Sequence, residues 1–150
     1  MLKCEKNMTD SASHDIVSLQ LNASAEVKVL IVDDSRSLRR VLKRELGRMG
    51  IHSTEFAQDG VAAIEALRKE VFDLILLDIE MPNLDGIGVL KLLKADPDLK
   101  DIPVIVISGF DYLDQSIQCI RLGAEDYLPK PFSSVLLQTR VFVALAKKRV

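Results

Sequence analysis

Short runs of β-branched residues and leucine alternate with helix-spaced segments five times between Val27 and Lys148, and this alternation constrains the fold more than any other feature. Val27 to Val32 and Phe72 to Leu77 are nearly unbroken apolar runs, the mark of strands covered on both faces. Ser53 to Ala57, Pro103 to Ile107 and Asp126 to Leu128 read as three further, shorter strands. Between them lie helical patterns: Leu38, Val41, Leu42, Leu46 and Met49, opened by a Ser35 cap and closed by Gly50. Ala62 to Leu67, Ile87 to Leu93, Leu113 to Leu122 (stopped by Gly123) and Ser133 to Lys148 complete the set, with Met81 to Gly86 as a loop. Strands separated by helices pair in parallel, because parallel neighbours need a right-handed crossover. The expected fold is α/β: a doubly wound (βα)5 domain of flavodoxin-like type, with a five-stranded parallel sheet of order 2-1-3-4-5.

Residues 1–26 differ: Met8 to His14 is polar, and only Ile16, Val17, Leu19 and Leu21 offer apolar surface. They read as a flexible leader with at most one short turn near residues 15–21, ahead of a domain at 27–148. A net charge of −2 gives no broad basic surface for nucleic acid. No apolar run is long enough to cross a bilayer, so the expected setting is the cytoplasm. Cys4 and Cys119 lack metal-ligand spacing and read as free thiols of a reducing compartment.

An open sheet of this kind binds ligands beyond the carboxyl ends of its strands, where strand order reverses. Strand one ends in Asp33-Asp34, strand three in Asp78 and strand four in Ser108, while strand five leads into Lys130. Taken singly, Asp34 reads as a helix cap, Asp78 as a loop residue and Lys130 as a surface charge. Together on one edge they read as a site. Converging carboxylates repel one another and call for a hard cation such as Mg²⁺, which favours phosphate as a co-ligand. A carboxylate can attack phosphorus to give a mixed anhydride, and positive groups can neutralise the transferring oxygens. Lys130 and the Ser108 hydroxyl are of the right type to contact a phosphoryl group. No side chain among them is a convincing general base for hydrolysis, which favours a phosphoryl acceptor over a fast phosphatase.

Four stretches extend that pattern: Val32-Asp33-Asp34-Ser35, Leu77 to Gly86 (LDIEMPNLDG), Val106-Ile107-Ser108-Gly109, and Gly123 to Phe132 (GAEDYLPKPF). In this order they resemble the receiver domain of two-component response regulators, over about residues 27–148. The resemblance implies that Asp78 takes a phosphoryl group from a histidine kinase or phosphotransfer protein, and that the domain is not a turnover enzyme in itself. It implies Mg²⁺ ligation by Asp34, Asp78 and the backbone carbonyl of Glu80, with Asp33 acting largely through water. Lys130 would pair with the phosphoryl group, its bond to Pro131 cis, and Ser108 with Tyr127 would form a switch pair. Glu80 and Phe110 match positions that the family varies to tune phosphoryl lifetime.

The last helix carries one apolar stripe for the sheet (Leu137, Val141, Ala144, Leu145) and a second of Val135, Phe142 and Ala146. The second is expected to be exposed and to serve a homodimer or an output domain, unless Ile16 and Leu19 of the leader cover it. The run Leu145 to Val150 ends without a cap, which suits a piece cut from a longer effector such as a nucleotide cyclase. A haloacid-dehalogenase-type hydrolase would need its second acid two residues after the nucleophile on strand one, unlike Asp33-Asp34-Ser35. A flavodoxin-like cofactor carrier would need a phosphate cradle where those two acids stand.

Overall fold

The computed structural model describes residues 26–81 and 84–149. Residues 1–25 of the expected leader, with Cys4, Ile16 and Leu19, lie outside the described residues, as do Pro82 and Asn83 of the Met81 to Gly86 loop. The chain runs β1 (Lys28–Val32), α1 (Arg36–Arg48), β2 (Ser53–Ala57), α2 (Gly60–Lys69), β3 (Leu74–Asp78) and α3 (Gly86–Ala95). It continues with β4 (Val104–Gly109), a 3-10 turn (Phe110–Tyr112), α4 (Leu113–Arg121), β5 (Asp126–Lys130) and α5 (Ser134–Arg149). The five strands form one parallel sheet of order β2-β1-β3-β4-β5, as the sequence pattern predicts.

Successive strand residues point to opposite faces, and the sheet divides its apolar residues accordingly. Leu30, Val32, Ile75, Leu77, Val104 and Val106 pack with Ala63 and Leu67 of α2, Val89, Leu90 and Leu93 of α3, and Cys119 of α4. Val29, Ile31, Leu74, Leu76, Ile105 and Ile107 meet Leu42 and Leu46 of α1 and Leu137, Val141, Ala144 and Leu145 of α5. All five residues of β3 are buried, which is why this strand has no polar alternation. Each fully buried aliphatic side chain contributes about 1.5–3 kcal/mol, so the middle of the sheet is the rigid platform on which the strand ends are held.

Local signals set the boundaries. Ser35, Asp59 and Asp85 accept hydrogen bonds at the starts of α1, α2 and α3 from the amides of Leu38, Ala62 and Gly88. Gly50 and Gly123 follow helices with positive φ (85° and 113°), a region closed to most side chains. β5 extends beyond the expected Leu128 to Lys130, with Pro129 opposite Ser108. Its position at the sheet edge tolerates a residue that cannot donate. Lys130 is therefore a strand residue rather than a loop residue, and its bond to Pro131 is cis, as expected.

The expected second stripe of α5 needs correction. Val135 is 74% exposed, but Phe142 is half-buried and packs against the α1–sheet–α5 core, and Ala146 is half-buried too. Exposed apolar surface on this helix centres instead on Val135 and Val143. Cys119 is free and buried, its thiol pushed up to about 11 chiefly by desolvation, as an inert core residue should be. No described helix is long and apolar enough to cross a membrane.

Candidate functional site at the carboxyl edge of the sheet

β1 and β3 are adjacent, and residues at their carboxyl ends meet across the crevice. Ligand oxygens of Asp33, Asp34 and Asp78 all lie within 4.8 Å of one another. Asp33 and Asp78 are almost sealed from solvent (1% and 3% exposed), whereas Asp34 is exposed. Backbone contacts fix the two buried acids. The Ser35 amide donates to Asp33 Oδ1 at 2.8 Å, and the Glu80 amide to Asp78 Oδ1 at 3.2 Å. Arg39 donates to the Asp33 carbonyl at 2.7 Å, tying α1 to the end of β1.

Lys130 reaches in from β5, on the other side of β4. Its Nζ lies 3.2 Å from Asp78 Oδ1 and 3.8 Å from Asp33 Oδ2. One ammonium faces three carboxylates, which leaves uncompensated negative charge. Desolvation, then the charge of Asp33, pushes the Asp78 carboxyl up to about 6. Desolvation likewise raises Asp33. Asp33 Oδ2 is buried without a hydrogen-bond partner. A buried acceptor with no donor, inside a cluster of oxygens with excess negative charge, fits a hard divalent cation with water in its shell. The acidic cluster is thus compatible with Mg²⁺ binding.

Gly86 makes this geometry accessible. A Cβ there would lie 2.5 Å from the Asp78 carbonyl oxygen and 2.6 Å from Ile79 Cα, both backbone atoms. The Gly86 amide donates to the Ile79 carbonyl at 2.9 Å, closing the loop between β3 and α3 onto the strand end.

Ser108 stands at the end of β4, one residue beyond the Asp78 partner Ile107. Its hydroxyl is buried and lies 2.6 Å from the Ser116 hydroxyl, which in turn donates to the Tyr112 carbonyl at 3.0 Å. Tyr127, the expected partner of Ser108, is half-buried on β5. Glu80 is exposed, and its carboxylate beside the Tyr112 phenol, with desolvation, holds that phenol above its usual range. The Phe110 side chain lies outside the described residues.

The structure brings the three acids and Lys130 to one edge, where the sequence pattern expects them, and adds Ser116 and Tyr112, which that pattern does not single out. Their signal is faint: Ser116 and Cys119 are the buried residues of α4, one turn beyond Tyr112, with a serine where an apolar residue would serve packing.

A doubly wound parallel sheet with three clustered acids and a lysine at its carboxyl edge belongs to the class of open α/β domains whose sites lie beyond the strand ends. The chain belongs to the response regulator receiver domain family of two-component systems, whose model matches residues 29–142. Chemotaxis protein CheY-3 of Vibrio cholerae is 36% identical over 115 residues, 77% of this chain and 88% of that protein. Response regulator MprA of a Mycobacterium species is 38% identical over 121 residues, 81% of this chain but 51% of that protein, so the match spans about half its length. Among solved structures, the Francisella response regulator 1452 receiver domain matches with a TM-score of 0.72 at 35% identity, covering 81% of this chain and 98% of that one. The receiver domain of NtrX from Brucella abortus matches with a TM-score of 0.73 at 32% identity, covering 79% and 98%.

Proposed function

We propose that Asp78 is the phosphoacceptor of this receiver domain and that residues 27–148 form the receiver domain behind a flexible leader of residues 1–26. One carboxylate oxygen of Asp78 would attack phosphorus as the bond to the donor breaks. The donor's leaving atom, a histidine nitrogen of a kinase or phosphotransfer protein, keeps the electron pair. Asp34, Asp78 and the Glu80 carbonyl would hold Mg²⁺, with Asp33 aligning its waters. The ion, when bound, neutralises phosphoryl charge. Lys130 balances the remaining charge on the oxygens, and Ser108 donates to one of them. Ser108 and Tyr127 form the switch pair that carries the change outward. The domain acts as a stoichiometric acceptor in the cytoplasm rather than as a turnover enzyme.

The observation that carries this reading is the approach of Lys130 Nζ to Asp78 Oδ1, at 3.2 Å, beside the cluster of three acids. Mass measurement after acetyl phosphate and Mg²⁺ tests it: the wild type should gain one phosphate and Asp78→Asn none. Equal gain in both would remove the proposed acceptor.

The output surface is proposed on α5, around Val135 with Phe142 and Ala146 at its margin, for a second copy or an output domain. A second reading takes the chain as the receiver portion of a longer effector such as a nucleotide cyclase; the match spans about half the length of MprA but nearly all of CheY-3. Phosphorylation-dependent binding to an output domain, measured in trans, would distinguish it from a stand-alone regulator.

A further inference from the structure

The Ser116 hydroxyl has one proton, and it is committed to the Tyr112 carbonyl at 3.0 Å. Either hydroxyl could donate across the 2.6 Å contact between Ser108 and Ser116, and with the Ser116 proton on the Tyr112 carbonyl it is Ser108 that does. Both residues are buried, at 2% and 1% exposure, so water does not substitute for either partner. Ser108 also has one proton. It cannot donate to Ser116 and to a phosphoryl oxygen at the same time, so the two hydrogen bonds exclude each other.

We propose that Ser116 is a positioning residue that latches the Ser108 hydroxyl in a resting orientation, and that a bound tetrahedral phosphoryl group must break this latch. The inference rests on the role of Ser108 in the function proposed above and extends it to regulation of the same site. Ser116 touches none of the reacting atoms. It acts by stabilising the unphosphorylated arrangement, and it is well placed to do so. The carbonyl that holds it belongs to Tyr112, on the turn joining β4 to α4, so the latch ties that turn to the end of β4. Release leaves the Ser116–Tyr112 bond intact and frees the Ser108 side chain alone. A serine that merely satisfied its own hydroxyl on Tyr112 would make no such exchange.

The sign of the effect follows from a cycle. Loss of the Ser116 hydroxyl leaves the buried Ser108 donor without its acceptor in the resting form only. In the phosphorylated form that donor is satisfied by the phosphoryl oxygen. The Ser116–Tyr112 bond is lost equally in both forms and cancels. Ser116→Ala should therefore tighten binding of a phosphoryl mimic by about fivefold or more, the order set by one buried neutral hydrogen bond.

The experiment is calorimetric titration of beryllofluoride with Mg²⁺ into the full chain, as wild type, Ser116→Ala, Ser108→Ala and the double variant. Tightening is expected where Ser108 is present and none on the Ser108→Ala background, a coupling that a purely structural role for Ser116 would not produce. Unchanged affinity in Ser116→Ala, or an equal shift on both backgrounds, overturns the latch. Ser116→Cys keeps the side-chain shape with a bulkier and weaker acceptor. It should give a smaller shift in the same direction, and it carries the cycle should the alanine variant fail to fold. Wild type that binds no beryllofluoride, or Asp78→Asn that binds it equally, would instead bring down the phosphoacceptor reading and the latch with it.

Discussion

Asp33 and Asp78 approach each other from neighbouring strands as two buried carboxyls, each held above its usual range, Asp78 at about 6. A raised carboxyl pKa means that the folded protein binds its proton more tightly than the unfolded chain does. Between the ordinary value of 3.8 and about 6 the folded state holds more protons, so stability falls as pH rises through that window. Above it the ionised pair opposes folding in full. A shift of about two units corresponds to roughly 3 kcal/mol at most. Asp78→Asn, measured by urea unfolding in chelator at neutral pH, should therefore be more stable than wild type by about 1–3 kcal/mol. The difference should shrink as pH falls through about 6. A variant less stable than wild type at neutral pH would show that the buried acids are compensated within the protein.

The same excess of charge predicts what a divalent ion does. Mg²⁺ at about one hundred times its Kd should stabilise the fold by about 2.7 kcal/mol. That gain should fade at acid pH as Asp78 takes up its proton. Asp34→Asn separates the ion from the fold: Asp34 is exposed, so the metal-free variant should unfold within about 0.5 kcal/mol of wild type yet lose the response to Mg²⁺. Thermal or urea unfolding with and without Mg²⁺ measures both halves.

Gly86 and Gly109 give a contrast between two glycines near one site. Alanine at Gly86 would drive its Cβ against the backbone of Asp78 and Ile79, where no flexible side chain can yield. Gly86→Ala should cost about 2–4 kcal/mol and slow phosphorylation, because strain falls on the residue that carries the acceptor. At Gly109 the nearest atom to an added Cβ is Tyr112 Cδ2 at 4.0 Å, an ordinary contact. Gly109→Ala should change stability by no more than about 0.5 kcal/mol. Denaturant midpoints and acetyl phosphate kinetics on the two variants would check the pair.

The legible part of this protein lies where one physical rule dominates. Unbroken apolar runs as short as Leu74 to Leu77 fit strands buried on both faces better than helices, and parallel connection then fixes which chain ends face the ligand. Asp33, Asp34, Asp78 and Lys130 could be placed from that alone. What stayed hidden depended on side-chain partners across elements. Ser116 is a serine like any other in the sequence, and only the packing of α4 on β4 brings it to Ser108. Tyr112 meets Glu80 because a 3-10 turn follows β4, and its sequence Phe110-Asp111-Tyr112 carries no distinctive signal for one. At the edge, Pro129 obscured the length of β5, because proline within a run argues against a strand unless that strand is outermost.

The last helix shows how a helical wheel misleads when the helix is wrapped on two sides. Phe142 falls opposite the main stripe, yet it packs against the core shared with α1. A side chain of that size covers surface well off the centre of its own stripe. Phe142→Ala should therefore cost about 1–3 kcal/mol through lost packing, less than a fully buried phenylalanine. Val135 and Val143, at 74% and 42% exposure, contribute little to the fold. The paired change Val135→Asp and Val143→Asp should leave the urea midpoint near that of wild type. If α5 mediates contact between copies, the same change should abolish concentration-dependent sedimentation of the phosphorylated protein. A fold destabilised by the two aspartates as strongly as by Phe142→Ala would instead place Val135 and Val143 in the packing of the domain itself.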